Sequence, residues 1–169
     1  MSTNKILKLG NPKLYKVSTT IEPGELPEAG EKFTELKKII LEYRSIHNAG
    51  RAIAAPQIGF MKRMICIYVN DVAHVMINPV FIEKSIDTFV LWDDCMSFPE
   101  LLVKVRRHKK CKVRFKDFEW KDHEWELEND LSELVQHEYD HLDGILAVQR
   151  AIDDKSFALQ SERDKLKDL

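Results

Sequence analysis

Apolar residues recur along the chain with two different periods. Between Glu28 and His47 they fall at Phe33, Leu36, Ile39, Ile40, Tyr43 and Ile46. That is the 3.6-residue spacing of a helix with one buried face, and Gly50 can end it. The preceding Glu22-Pro23-Gly24-Glu25-Leu26-Pro27 reads as a loop by its Pro and Gly content. Arg63 to Val69 carries the continuous apolar run Met64-Ile65-Cys66-Ile67-Tyr68-Val69, a buried strand. Val75 to Ile82 reads as a second strand, interrupted at Pro79. Thr88 to Trp92 and the long stretch Leu101 to Trp120 are β-rich. A second helix is predicted from Asp130, a plausible N-cap with Glu133 at the capping-box position, through Leu131, Leu134, Val135, Tyr139 and Leu142 to Gly144. A charged, amphipathic tail helix is predicted from about Asp153 to the end. Helix, several strands, helix and tail helix, without βαβ alternation, predict an α+β fold with mainly antiparallel sheet.

Composition narrows the class. A chain of 169 residues is read as one domain spanning 1–169, and it can bury roughly 70% of its unfolded surface without disulfide staples. Lys and Arg number 26 against 28 Asp and Glu, a formal net charge of −2. That balance argues against a general nucleic-acid binder. The basic run Lys104, Arg106, Arg107, Lys109, Lys110 and Lys112 alternates with Val103 and Val105, as a half-exposed strand with a charged face would. No apolar run approaches the ~20 residues that span a membrane. Met1-Ser2-Thr3-Asn4-Lys5 leads into no apolar signal core, so the expected location is cytoplasmic. Three cysteines, at 66, 95 and 111, form no disulfide framework.

One pattern carries chemistry. His137-Glu138-Tyr139-Asp140-His141 sets two imidazoles four residues apart on the second helix, so both point from one face and can grip one metal ion. Glu138 follows the first ligand, where it can take and return a proton without ligating. A solvated polar helix would match by chance. Such a site needs a third ligand and leaves a fourth position open. Downstream of His141 there is no His, and the tail offers Glu162. Upstream, Cys95 in Trp92-Asp93-Asp94-Cys95-Met96-Ser97-Phe98-Pro99 would complete a set suited to zinc or Fe(II). A buried apolar thiol is the plainer reading there, and is the reading for Cys66 and, as a strand residue, Cys111. Gly50-Arg51-Ala52-Ile53-Ala54-Ala55-Pro56-Gln57 offers close backbone approach and, at Gln57, an amide donor for a developing oxyanion. A helix end followed by a small-residue core strand would look the same. His47, His74, His108 and His123 have no ligand spacing.

Taken in order, Gly50 to Gln57, Asp93 to Ser97 and Gln136 to His141 resemble the three sequence blocks of the peptide deformylases. Ile6-Leu7-Lys8-Leu9-Gly10-Asn11-Pro12 also resembles the start of that family. The resemblance covers nearly the whole chain. It implies mainly antiparallel sheets packed around a central metal-binding helix. It implies Cys95, His137 and His141 as ligands of one divalent metal per chain, natively Fe(II), with zinc or nickel also accepted. It makes Glu138 the general base and acid, and the Gln57 side-chain amide and Met96 N–H the oxyanion donors. Gly50, Arg51, Ala52, Ile53, Asp94, Glu133 and Leu134 are the expected substrate-binding positions. The implied reaction removes the N-formyl group from N-terminal formylmethionine of nascent polypeptides and releases formate. Nascent formylated peptides are then the partners, with a transient ribosome contact, no membrane and no specific nucleic-acid binding.

The chain departs from the family pattern. Ala52 replaces a glycine of the first block. Asp93 and Asp94 replace the Glu and Gly before the cysteine; Asp93 could pair with Arg107, or both could be solvated. Asp94 could line the substrate groove or face solvent. Glu133 could cap its helix or enter a pocket that the family keeps apolar, and Arg51 could pair with either acid. Two rivals follow. One is a His-Glu-x-x-His protease. The other is an altered deformylase-like protein that binds peptide N-termini or acts on a different N-acyl peptide.

Overall fold

A computed structural model describes residues 2–166. Helix α1 spans Leu26–His47, and Asn48 closes it in the left-handed conformation (φ 50°). Strands follow at Ala52–Ala54 (β1), Met64–Val69 (β2), Val72–Lys84 (β3), Thr88–Asp94 (β4), Leu101–His108 (β5), Lys110–Lys116 (β6) and Asp122–Glu128 (β7). Helix α2 spans Asn129–Leu142, and β8 spans Phe157–Leu159. One sheet runs β1-β2-β3-β6-β7 and the other β4-β5-β8. Every strand pairing is antiparallel. The predicted α+β class with mainly antiparallel sheet is the one observed.

Alternation along the central strands explains where the helices go. Ile53, Met64, Cys66 and Ile77 face one side and pack with Leu36, Ile39 and Ile40 of α1. Ala52, Ala54, Ile65, Ile67 and Met76 face the other and pack with Val135 and Leu142 of α2. A period of two thus splits one apolar run between two helices. Cys66 and Cys111 are buried thiols within this packing.

The structure corrects several boundaries. Strand β3 runs through Pro79 instead of stopping there. The interruption lies in its pairing with β6, whose register shifts between Ile77 and Val80, because proline cannot donate to the ladder. The long β-rich stretch is two strands in different sheets, joined at Lys109. Strand β7 was not foreseen; its polar alternation Asp122-His123-Glu124-Trp125-Glu126 suits a largely exposed strand.

Asp130 is not the cap of α2, which starts one residue earlier without a side-chain cap. Its carboxylate instead binds Arg51 Nη1 at 2.7 Å. The predicted tail helix is also wrong. Asp153 folds a local turn by accepting from Ser156 Oγ and Lys155 N. Then β8 pairs with β5, and a 3-10 stretch covers Gln160–Leu166. Residues 167–169 of that predicted helix lie outside the described residues. No described helix is long and apolar enough to cross a membrane.

Candidate metal centre

Helix α2 and the end of β4 meet at one point. The Cys95 thiol, His137 and His141 each present a ligand atom, and the three atoms lie within 4.8 Å of one another. Cys95 Sγ is 3.3 Å from His141 Nε2. All three residues are buried. A thiol and two imidazoles converging with one polar side open to a cleft fit a tetrahedral ion with a free position. The buried Oε2 of Glu138 has no hydrogen-bond partner, an atom left for a reacting group beside that position.

The support around the ligands is ionic. His137 Nδ1 meets Asp93 Oδ2 at 2.9 Å, so its other nitrogen is the one turned to Cys95. Asp93 also accepts from Arg107 Nη2 at 3.1 Å, and Asp93 and Arg107 are each 4% exposed. The pair is therefore structural, not solvated. Arg107 Nη1 reaches Asp140 at 2.5 Å, and Arg150 grips the same carboxylate from outside at 2.8 and 3.2 Å. Burial opposes charge on His137, but the Asp93 carboxylate, together with Cys95 beside it, more than offsets it and raises its pKa well above normal. Burial, reinforced by charge on His137, pushes His141 well below normal. Burial likewise raises Glu138 to about 7.

Gln57 sits in the turn after β1. Its Oε1 accepts from Ala54 N at 2.8 Å, which aims Nε2 at Ser97 Oγ (3.2 Å) and Cys95 Sγ (3.6 Å). The first residues tie this turn to the cysteine loop. Leu7 N donates to Gln57 O at 2.8 Å, Leu9 N to Ser97 O at 2.9 Å, and Lys8 Nζ to Met96 O at 2.9 Å.

A cleft of about 110 Å³, open to solvent, is lined by two of the three, Cys95 and His137. Gly50, Arg51, Ala52, Gln57, Asp94, Met96, Glu133, Leu134 and Glu138 are on its wall, as is Tyr43. Gly50 has φ +96°, a backbone conformation that L side chains rarely adopt, and a Cβ there would fall 2.9 Å from the Tyr43 ring, so glycine is favoured at this wall. Ile53 is a correction: strand alternation turns it to α1, fully buried and off the cavity. Asp94 stands at the mouth, paired at 2.8 Å with Arg163. Arg51 pairs with Asp130 and with neither Asp94 nor Glu133. Glu133 is not the capping-box carboxylate; it lines the cavity and is 8% exposed.

Sequence reasoning missed the supports. Ser132 and Gln136 clamp α2 to β5 by donating to His108 O at 2.9 Å each, and Gln136 Oε1 accepts from His108 N. Asp140 lies one turn beyond His137, a signal that a polar x position in the motif has its own partner. Arg150, Lys8 and Tyr43 had no local signal.

Burial, followed by the Asp93 charge, raises Glu133 to about 7 from its ordinary 4.5. The folded chain thus holds this proton through a range where the unfolded chain has released it. The resulting stability is present below about pH 4.5 and lost as pH rises to about 7. In chelator-treated protein, the stability of Glu133→Gln relative to wild type should therefore increase from pH 4.5 to 7.5. Urea midpoints at the two pH values measure it, and a gap that shrinks contradicts it.

A His-Glu-x-x-His helix facing a strand-end thiol, beside a cleft with an amide donor, defines a mononuclear metal-dependent hydrolase. The family model described as polypeptide deformylase matches residues 3–157. The peptide deformylase of Thermotoga maritima is 36% identical over 141 residues, 82% of this chain and 84% of that one. Its crystal structure superposes with TM-score 0.80 at 29% identity, covering 88% of this chain and 97% of that one. A Met-Ala-Ser-bound crystal structure of a class I type b peptide deformylase from Acinetobacter baumannii gives TM-score 0.77 at 28% identity, covering 86% and 96%. The chain belongs to the peptide deformylase family.

Proposed function

We propose that this chain is a metal-dependent hydrolase that removes the N-formyl group from the first residue of peptides, releasing formate and a free amine. The observation that carries this is the convergence of Cys95, His137 and His141 within 4.8 Å, beside the unpartnered Glu138 oxygen and the Gln57 amide. Family membership supports the same reaction. Cys95, His137 and His141 would hold one divalent ion, Fe(II) natively, with zinc or nickel as substitutes. When bound, such an ion acidifies water and polarises a carbonyl.

The chain's own residues do the rest. The Gln57 amide and the Met96 N–H donate to the formyl oxygen as it gains charge. Glu138 takes a proton as water adds to the formyl carbon. It returns that proton to the nitrogen as the C–N bond breaks. Asp93 fixes which nitrogen of His137 faces the ion. Residues 1–169 act as one catalytic unit in the cytoplasm. Formylated nascent peptides are its partners, met during transient contact with the ribosome and without specific nucleic-acid binding.

Formate release from a panel of N-formyl tripeptides with different first residues, using iron-loaded protein, tests this reading. At least one peptide should yield formate well above a no-enzyme blank. No formate from any, or peptide-bond cleavage without formate, would overturn it.

A further inference from the structure

Helix α2 borders a second cavity, of about 170 Å³, through Tyr139, Asp140 and Asp143, none of which lines the catalytic cleft. The ends of β3 and β5 close it. Four cations line it: Lys84, Arg106, Arg107 and Arg150. The two carboxylates on its wall are already matched. Asp140 accepts from Arg107 and Arg150, and Asp143 accepts from Arg63, which lies outside the cavity. Lys84 and Arg106 have no acidic partner among the described residues. Lys84 Nζ sits 4.4 Å from the centre of the Phe81 ring, and Arg106 Nη1 reaches only the Thr88 hydroxyl, at 3.4 Å. The Nε of buried Arg107 is a donor without an acceptor. A buried donor left unmatched costs free energy, and gathered positive charge without counter-charge repels itself. An anion in this cavity answers both.

We propose that this cavity is an anion site that takes inorganic phosphate. Lys84 and Arg106 are the two charges left over, and together they match a dianion. A monoanion such as a carboxylate would leave one of them unpaired. Guanidinium groups offer planar N–H donors and the lysine a point charge, a combination suited to phosphate oxygens. The site is distinct from the metal centre and needs no peptide, so it stands whichever bond the enzyme cleaves. It does share one residue with the support of that centre. Arg107 also holds Asp93, the partner of His137, so phosphate would sit against the back of the network that orients a metal ligand.

Titration of the zinc-loaded full chain with inorganic phosphate, against chloride at matched ionic strength, tests the site. Phosphate should bind with a Kd of about 1 mM or tighter. It should move the NMR ring signals of His108, which lines the cavity, and leave those of His123 on β7 in place. Lys84→Gln combined with Arg106→Gln should weaken binding by about tenfold or more, through the loss of two charged contacts. Arg106→Gln alone makes the same comparison if the double variant does not fold. Phosphate held by the metal instead would leave His108 unmoved and the affinity of the variants unchanged, and either result overturns the proposal. Binding no tighter than that of chloride overturns it as well.

Discussion

Glu138→Gln should lower kcat for formate release by about 10³-fold while metal content stays at one ion per chain. General acid–base catalysis by a positioned side chain supplies about 10²–10⁴-fold, and here one group serves both proton transfers. The carboxylate is buried, and its Oε2 has no partner to satisfy, so the change to an amide removes proton capacity with little loss of structure. Glutamine keeps the size and the helix, which separates this effect from unfolding. Steady-state formate release and metal analysis of the same preparation decide it. Equal loss of metal and activity would make Glu138 a structural residue; activity within tenfold of wild type would remove it from the reaction.

Arg107→Ala should destabilise the protein by about 3–5 kcal/mol, the cost of removing one partner from a buried ionic network. Two carboxylates depend on this guanidinium. Asp93 has the neighbouring His137 as a second partner, while Asp140 retains Arg150. The loss should therefore reach the metal as well as the fold. With Asp93 no longer anchored from behind, His137 is held less firmly, and metal affinity should fall about 10–100-fold. Urea denaturation and competition with a chelator measure the two effects. Full stability with unchanged metal affinity would show that Asp93 and Asp140 do not need Arg107.

The spacing of local signals decided what could be read in advance. His137 and His141 were legible because a helix turns spacing directly into geometry. Cys95 was not fixed by spacing; 42 residues separate it from His137, and only the likeness of its block to a family brought the two together. A continuous apolar run made β2 clear, yet it could not say which helix each face of the sheet would meet, and the Ile53 side chain, expected among the substrate-binding positions, lies under α1. The tail failed for a related reason. Its charges suit a helix, but an Asp153–Ser156 turn and an open edge on β5 captured it as a strand. Asp130 and Glu133 carried the signature of a helix cap; Asp130 went instead to Arg51, a tertiary partner that outcompetes a cap worth about 1 kcal/mol, and Glu133 lines the cavity. The ionic support at Arg107, Asp140 and Arg150 had no sequence period at all, since it joins three elements.

The tether made by Leu7 and Leu9 has a consequence for tolerance to change. It links the Gln57 turn to the cysteine loop through main-chain groups, with Leu7 N on Gln57 O and Leu9 N on Ser97 O. Side chains at positions 7 and 9 do not make these links, so a substitution there by any residue but proline, which lacks the N–H, leaves them in place. Length is different: one residue added or deleted between Leu7 and Leu9 moves one anchor by about 3.5 Å relative to the other. The span between the Gln57 turn and the cysteine loop is therefore set by chain register, and an insertion there is the change this site absorbs least well.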